Sequence, residues 1–159
     1  MTLRAVLLAL LFAPGAAPAQ SVALGGLATD PSAPVEVTSE TLTVDQATGA
    51  AVFTGNVVIG QGDLRLSAAE VEVRYDEATQ AIARLLASGG VTLATPTEAA
   101  EAREADYDLT ARTLTLTGDV LLTQGQSAIS ADRMVVDLAA GTAQVEGNVR
   151  TLLNREAAP

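Results

Sequence analysis

Two short signals alternate along most of this chain, and together they limit what it can fold into. One is a small residue followed by an acid, at Ser39-Glu40, Ala69-Glu70, Ala105-Asp106 and Ala131-Asp132. The other is Gly-x-Val, at Gly55-Asn56-Val57, Gly89-Gly90-Val91, Gly118-Asp119-Val120 and Gly147-Asn148-Val149. The leading glycines recur at intervals of 34, 29 and 29 residues. A period of this size marks a supersecondary unit stacked on copies of itself. Each unit has room for about four short strands of ordinary length, which predicts roughly sixteen strands between Val35 and Leu153.

Within the units the hydrophobic period is two. Val71, Val73 and Tyr75 face one way and Glu72 and Arg74 the other; Leu114 and Leu116 alternate with Thr113, Thr115 and Thr117. Alternation of this kind is the pattern of a half-buried strand. The stretch 50–67 reads as three short strands. Gly55-Asn56 and Gly60-Gln61-Gly62-Asp63 stand between them as two reversals, because Gly and Asn tolerate positive φ. Two stretches, 79–88 and 98–104, have helical propensity, but their place in the repeat makes them strand or loop. The chain is expected to be all-β and antiparallel, with a single domain at 35–153.

The flanks read differently. Residues 1–19 have the layout of a secretory signal: Arg4, an apolar run over 5–13, and small residues at Ala17-Pro18-Ala19. That run is too short to cross about 30 Å of hydrocarbon. Residues 20–34 form a Gly/Ala/Pro-rich flexible leader and 154–159 a short tail. Removal of residues 1–19 takes away Arg4 and changes the net charge from −10 to −11.

Composition removes whole classes of chemistry. The chain has no histidine and no cysteine, and all nine of its basic residues are arginine. Imidazole bases, thiol nucleophiles, lysine amines and the usual zinc ligands are therefore absent. No catalytic residue, metal site or cofactor is expected. The acid-rich segment 98–108 lacks the fixed Asp, Asn and Gly positions of a calcium loop and reads as a solvated face. A pI near 4.2 argues against nucleic acid as a partner.

One face of the strands is aliphatic: Phe53, Val57, Ile59, Leu64, Leu66, Val71, Val73, Val91, Leu93, Leu109, Leu114, Leu116, Val120, Leu122 and Ile129. Aromatic residues are only 3% of the chain, which disfavours sugar binding on ring faces. An aliphatic roll of this kind suits two functions. It can be a closed core in a structural β-repeat that assembles through its edges, or a partly open trough for acyl chains. The residues alone leave both open.

The run from Val52 to Ala68 (VFTGNVVIGQGDLRLSA), preceded by Val35-Glu36-Val37-Thr38-Ser39-Glu40, resembles the OstA-like family of lipopolysaccharide transport proteins. Later matches are Leu114 to Leu122 (LTLTGDVLL) and Ile129-Ser130-Ala131-Asp132. The resemblance covers about residues 30–153. It implies a single-domain antiparallel β-jellyroll, or β-taco, of about sixteen short strands with an open apolar groove, the count that strand length also suggests. It implies a periplasmic carrier, without enzymatic activity, that holds lipid A acyl chains in the groove while the sugars project outside. Such proteins stack head to tail between inner-membrane LptC-like and outer-membrane LptD-like components.

Carried onto this chain, the resemblance makes Phe53, Val57, Ile59, Leu64, Leu66, Val71, Val73, Leu93, Leu114, Leu116, Val120 and Leu122 the lipid-binding residues. Arg65, Arg74 and Arg84 become rim residues that meet phosphates, and Val35, Val37, Val149 and Leu152 the interface edges. With a strongly negative net charge, affinity must come from acyl burial, at about 0.8 kcal/mol per CH₂.

Overall fold

Eight antiparallel rows, each bent once near its middle, make up the structure. The computed structural model describes residues 21–23 and 32–153; the signal segment 1–19 and the tail 154–159 lie outside the described residues. A short strand, β1 (Ser21–Ala23), stands at one edge, within the stretch read as leader. The rows follow in chain order. The first is β2 (Val35–Thr38) with β3 (Thr41–Val44); then come β4 (Ala51–Gln61) and β5 (Leu64–Tyr75). Next are β6 (Ile82–Ser88) with β7 (Val91–Ala94), and β8 (Glu98–Ala102) with β9 (Glu104–Asp108). The last are β10 (Thr113–Gln124), β11 (Ser127–Asp137), and β12 (Thr142–Glu146) with β13 (Arg150–Leu152). Because β4, β5, β10 and β11 run through the bend unbroken, thirteen strands carry what are sixteen half-rows besides β1. The segments 79–88 and 98–104, helical by propensity, are strand for most of their length, because pairing on both sides outweighs a weak local preference.

The bend explains why the two sequence signals alternate. At Gly55-Asn56, Gly89-Gly90, Gly118-Asp119 and Gly147-Asn148 two consecutive residues have positive φ, a conformation open to Gly and, at lower cost than to others, Asn and Asp. The neighbouring row lays a residue across each glycine. A Cβ on Gly55 would come 2.5 Å from the Glu40 side chain, one on Gly89 2.6 Å from Ala69 Cβ, and one on Gly147 2.6 Å from the Asp132 carboxylate. One on Gly118 would come 2.9 Å from Arg103 Cδ. In two units the residue over the glycine is not the marker acid: against Gly118 it is Arg103, and against Gly89 it is Ala69. What the site demands is a residue that fits over a bare glycine; an acid is one choice among several. Asn56 Nδ2 donates to Glu40 Oε1 at 2.6 Å, Asn148 Nδ2 to Asp132 Oδ2 at 2.8 Å, and Arg103 pairs with Asp119.

Gly55-Asn56 is therefore a bulge inside one 11-residue strand, where the register to β5 shifts, and not a reversal. The chain does reverse at Gly62-Asp63 and again at Gly125-Gln126. Only the first central residue of each has positive φ, as in type II′ hairpins. At the opposite ends of the rows, Asp45, Asp76 and Asp137 each accept backbone N–H bonds from residues two and three positions ahead. These are Asx turns. Their bonds, led by Ala47 N–H for Asp45 and Thr79 N–H for Asp76, hold both carboxyls below the ordinary aspartate value.

Candidate functional site

Bending every row at one line divides the sheet into two limbs whose inner faces meet. Limb I holds β2, β7, β8, β13 and the adjoining halves of β4, β5, β10 and β11; limb II holds β3, β6, β9, β12, β1 and the other halves. Residues directly opposite on paired strands share a face. Inside limb I the register lines up Val37, Ile59, Leu66, Leu93, Ala100, Leu122 and Ile129. Inside limb II it lines up Phe53, Val71, Ala87, Ala105, Leu116, Met134 and Val145. A second row there runs Ala51, Val73, Leu85, Tyr107, Leu114, Val136 and Ala143. Each row is apolar from end to end.

All twelve residues expected to meet lipid lie on these two inner faces. Val57, Ile59, Leu64, Leu66, Val71, Val73, Leu93, Leu114, Leu116, Val120 and Leu122 are buried, and Phe53, in the second row from the edge, is half-buried. Ile59, Leu64, Leu66 and Leu93 of limb I and Leu85, Tyr107 and Leu114 of limb II line one void of about 10 Å³. The groove is thus filled by its own walls, and admitting an acyl chain requires the limbs to part. Sequence reasoning left out Leu85, Tyr107, Met134, Val136 and Val145. Leu85 sits in the stretch where alternation is weakest, whereas Met134, Val136, Ala143 and Val145 alternate plainly enough to be found.

The arginines take a different position from the inner face. Arg65, Arg74 and Arg84 each lie near a limb tip but on the outer face of the sheet. Arg65 donates to the carbonyls of Gly62 at 2.5 Å and Leu64 at 2.9 Å, covering its own hairpin. Arg74 pairs with Glu72 at 2.7 Å. Arg84 makes a two-point contact with Asp106, which raises its pKa above the ordinary arginine value.

The two limbs are joined by a polar contact as well as by packing. Tyr107 Oη, on limb II, donates to Gln61 Oε1 at the tip of limb I, 3.0 Å away; Gln61 Nε2 donates to the Ala33 carbonyl at 3.2 Å. Tyr107→Phe removes the donor and leaves a buried carbonyl unpaired. We expect a loss of about 1–3 kcal/mol in urea unfolding. The same change at Tyr75, 40% exposed, is expected to leave the midpoint in place.

Among the described residues the apolar faces are not capped at the ends of the roll, except where β1 covers limb II. Within the same described residues β2 and β3 pair only with β4, which puts Val35 and Val37 on an edge; β13, with Leu152, pairs only with β11, and Val149 lies just before it. The limb II edge at that end is covered by β1. Leu42 and Val44 are in register with Phe53 and Ala51, so they face inward, yet they are 54% and 59% exposed because no described row lies beyond them. At the other end Thr151, opposite Ile129, faces inward and Leu152, opposite Ala128, faces out; Leu152 and Leu153 are 62% and 75% exposed.

Comparison with known proteins places this geometry. Among solved structures the chain is similar to LptH from Pseudomonas aeruginosa, the LptA-homologous periplasmic component of the conserved lipopolysaccharide transport device. The TM-score is 0.71 at 16% identity, over 80% of this chain and 99% of that one; a likeness at this identity is one of fold. No curated protein matches in sequence. Residues 36–142 match the family model described as LptA/(LptD N-terminal domain) LPS transport protein. That span runs from β2 to the start of β12, through three of the four glycine bends, both tips and the inner faces, and so this chain belongs to the LptA/LptD N-terminal domain family of lipopolysaccharide transport proteins.

Proposed function

We propose that this protein is a periplasmic bridge that binds lipopolysaccharide, holds lipid A acyl chains between its limbs, and performs no chemistry of its own. It assembles head to tail, first row against last, between an LptC-like component of the inner membrane and an LptD-like component of the outer membrane. The observation that carries this reading is the uncapped apolar inner face. A stacked repeat that ends in solvent needs terminal units with a polar outer face. Here, among the described residues, the terminal row at one end instead presents its inward-facing Leu42 and Val44 to solvent. A second copy placed end to end would cover them, its β1 edge continuing limb II and its β13 edge limb I.

The energetics suit a carrier. Parting two aliphatic walls exposes apolar surface, but an acyl chain between them covers that surface again. The chain's own burial, at about 0.8 kcal/mol per CH₂, is then the net driving term. The roughly 10 Å³ void favours the rival reading, a closed-core structural repeat. A photo-crosslinking residue at Val57, Leu66 or Leu116, with Arg65 as the outward control, separates the two. We expect lipopolysaccharide adducts on cell-purified protein at the three inward positions and none at Arg65. Protein free of adducts at all three inward positions, although it folds, would favour the closed core.

A further inference from the structure

Among the described residues two polar side chains are buried, Gln61 and Glu98, and both belong to one line across the inner tip of limb I. The registers Gln61 to Leu64, Glu98 to Gln124 and Gln124 to Ser127, with the Thr95 amide bonded to the Glu98 carbonyl at 2.9 Å, set out that line. It is mostly polar, and the next line inward, through Ile59, Leu93 and Leu122, is wholly apolar. Glu98 is 4% exposed. Its Oε1 accepts from Gln124 Nε2 at 2.5 Å, and its Oε2 is buried with no hydrogen-bond partner. Glu98 shares its face with Ala100, which lies against Leu93 and Leu122, so its carboxylate is on the inner side of the wall.

A carboxylate oxygen buried without a donor is costly, and it lies where a bound acyl chain would pass from the apolar interior to its head group. Resting on the carrier reading above, we propose that the inner tip of limb I is a hydrogen-bonding subsite for the head-group end of an acyl chain. Glu98 Oε2 accepts from the amide N–H or hydroxyl that an acyl amide or hydroxylated chain presents at that depth. The same negative charge repels a chain that ends in its own carboxylate. The subsite therefore selects by attraction and by exclusion together, separating linked acyl chains from free fatty acids of equal length. It also keeps phosphates away from the inner tip.

The experiment is competition by tetradecanamide and by tetradecanoate against a fluorescent apolar probe, N-phenyl-1-naphthylamine, on the full mature chain at about pH 8, where the acid is ionised. The wild type is expected to favour the amide by about tenfold or more, the factor that one hydrogen bond to a charged group supplies. Glu98→Gln keeps the shape of the side chain and is expected to erase the preference. Glu98→Leu, which removes the buried carboxylate and leaves the exposed Gln124 amide to solvent, is expected to erase it as well, and so guards against a folding defect in the first variant. Equal binding of the two compounds by the wild type, or a preference that survives in Glu98→Gln, overturns the subsite and leaves the carrier reading standing. Failure of the wild type to bind either compound or the probe overturns the carrier reading and this inference with it.

Discussion

Gly89→Ala is expected to destabilise the protein by about 2–5 kcal/mol, from two separate causes. Its φ is +81°, and a left-handed conformation costs a residue with a Cβ about 1–2 kcal/mol. The new methyl would also stand 2.6 Å from Ala69 Cβ, a short, rigid neighbour that cannot swing aside, and crowding of this kind typically costs about 1–3 kcal/mol. Gly90 is the internal control. Its φ is +87° but a Cβ there meets nothing within 4 Å, so Gly90→Ala carries the conformational cost alone. Adding Ala69→Gly to Gly89→Ala is expected to restore part of the loss, because it removes the clash and leaves the backbone cost. Urea unfolding of the three variants beside the wild type checks this. If Gly89→Ala were no worse than Gly90→Ala, the contact between adjoining rows would not be what keeps glycine at the bend.

Leu116→Ala is expected to cost about 2–5 kcal/mol, the range for emptying a fully enclosed leucine site. Leu116 is 0% exposed and sits between Ala105 and Met134 on the inner face of limb II. Leu121, on the same strand but facing out and 37% exposed, is the comparison. Leu121→Ala is expected to stay within about 0.5 kcal/mol of the wild type. Thermal melts of both, with and without added lipopolysaccharide, also bear on the carrier reading. An acyl chain between the limbs stabilises whatever binds it, so lipid is expected to raise the melting temperature of the wild type and, by filling the new void, that of Leu116→Ala at least as much.

The twelve apolar residues expected to meet lipid were legible because the period of two holds within each half-row, although it slips by one at the bend of β5, between Leu66 and Val71. Arg103 was not. It lies fifteen residues before its glycine, as Glu40 and Asp132 do before theirs, but it is basic where they are acidic, and a marker defined by charge passes over it for Asp106. The shared offset was the better signal, since the contact over the glycine depends on position rather than on chemistry. Gly55-Asn56 misled in the other direction. Two residues tolerant of positive φ serve a hairpin or a bulge equally well, and the choice rests on whether the next row pairs with both halves of the strand. For the same reason Glu98 passed as part of a solvated acidic run, although alternation from Ala100 already pointed it inward.

From the sequence alone came the strand content, the alternating inner and outer faces, the fourfold unit and the positions of its glycines. All of these are local consequences of side-chain period and backbone tolerance, and they need only a few neighbouring residues to be read. The tertiary structure decided the rest: that the rows bend along one common line, that Tyr107 reaches Gln61 across the gap, that Glu98 is enclosed with one free oxygen, and that Leu42 and Val44 face inward with no described row beyond them. These are contacts between residues 15 to 46 positions apart or more. No local pattern encodes them, because they exist only once packing has brought separate rows together.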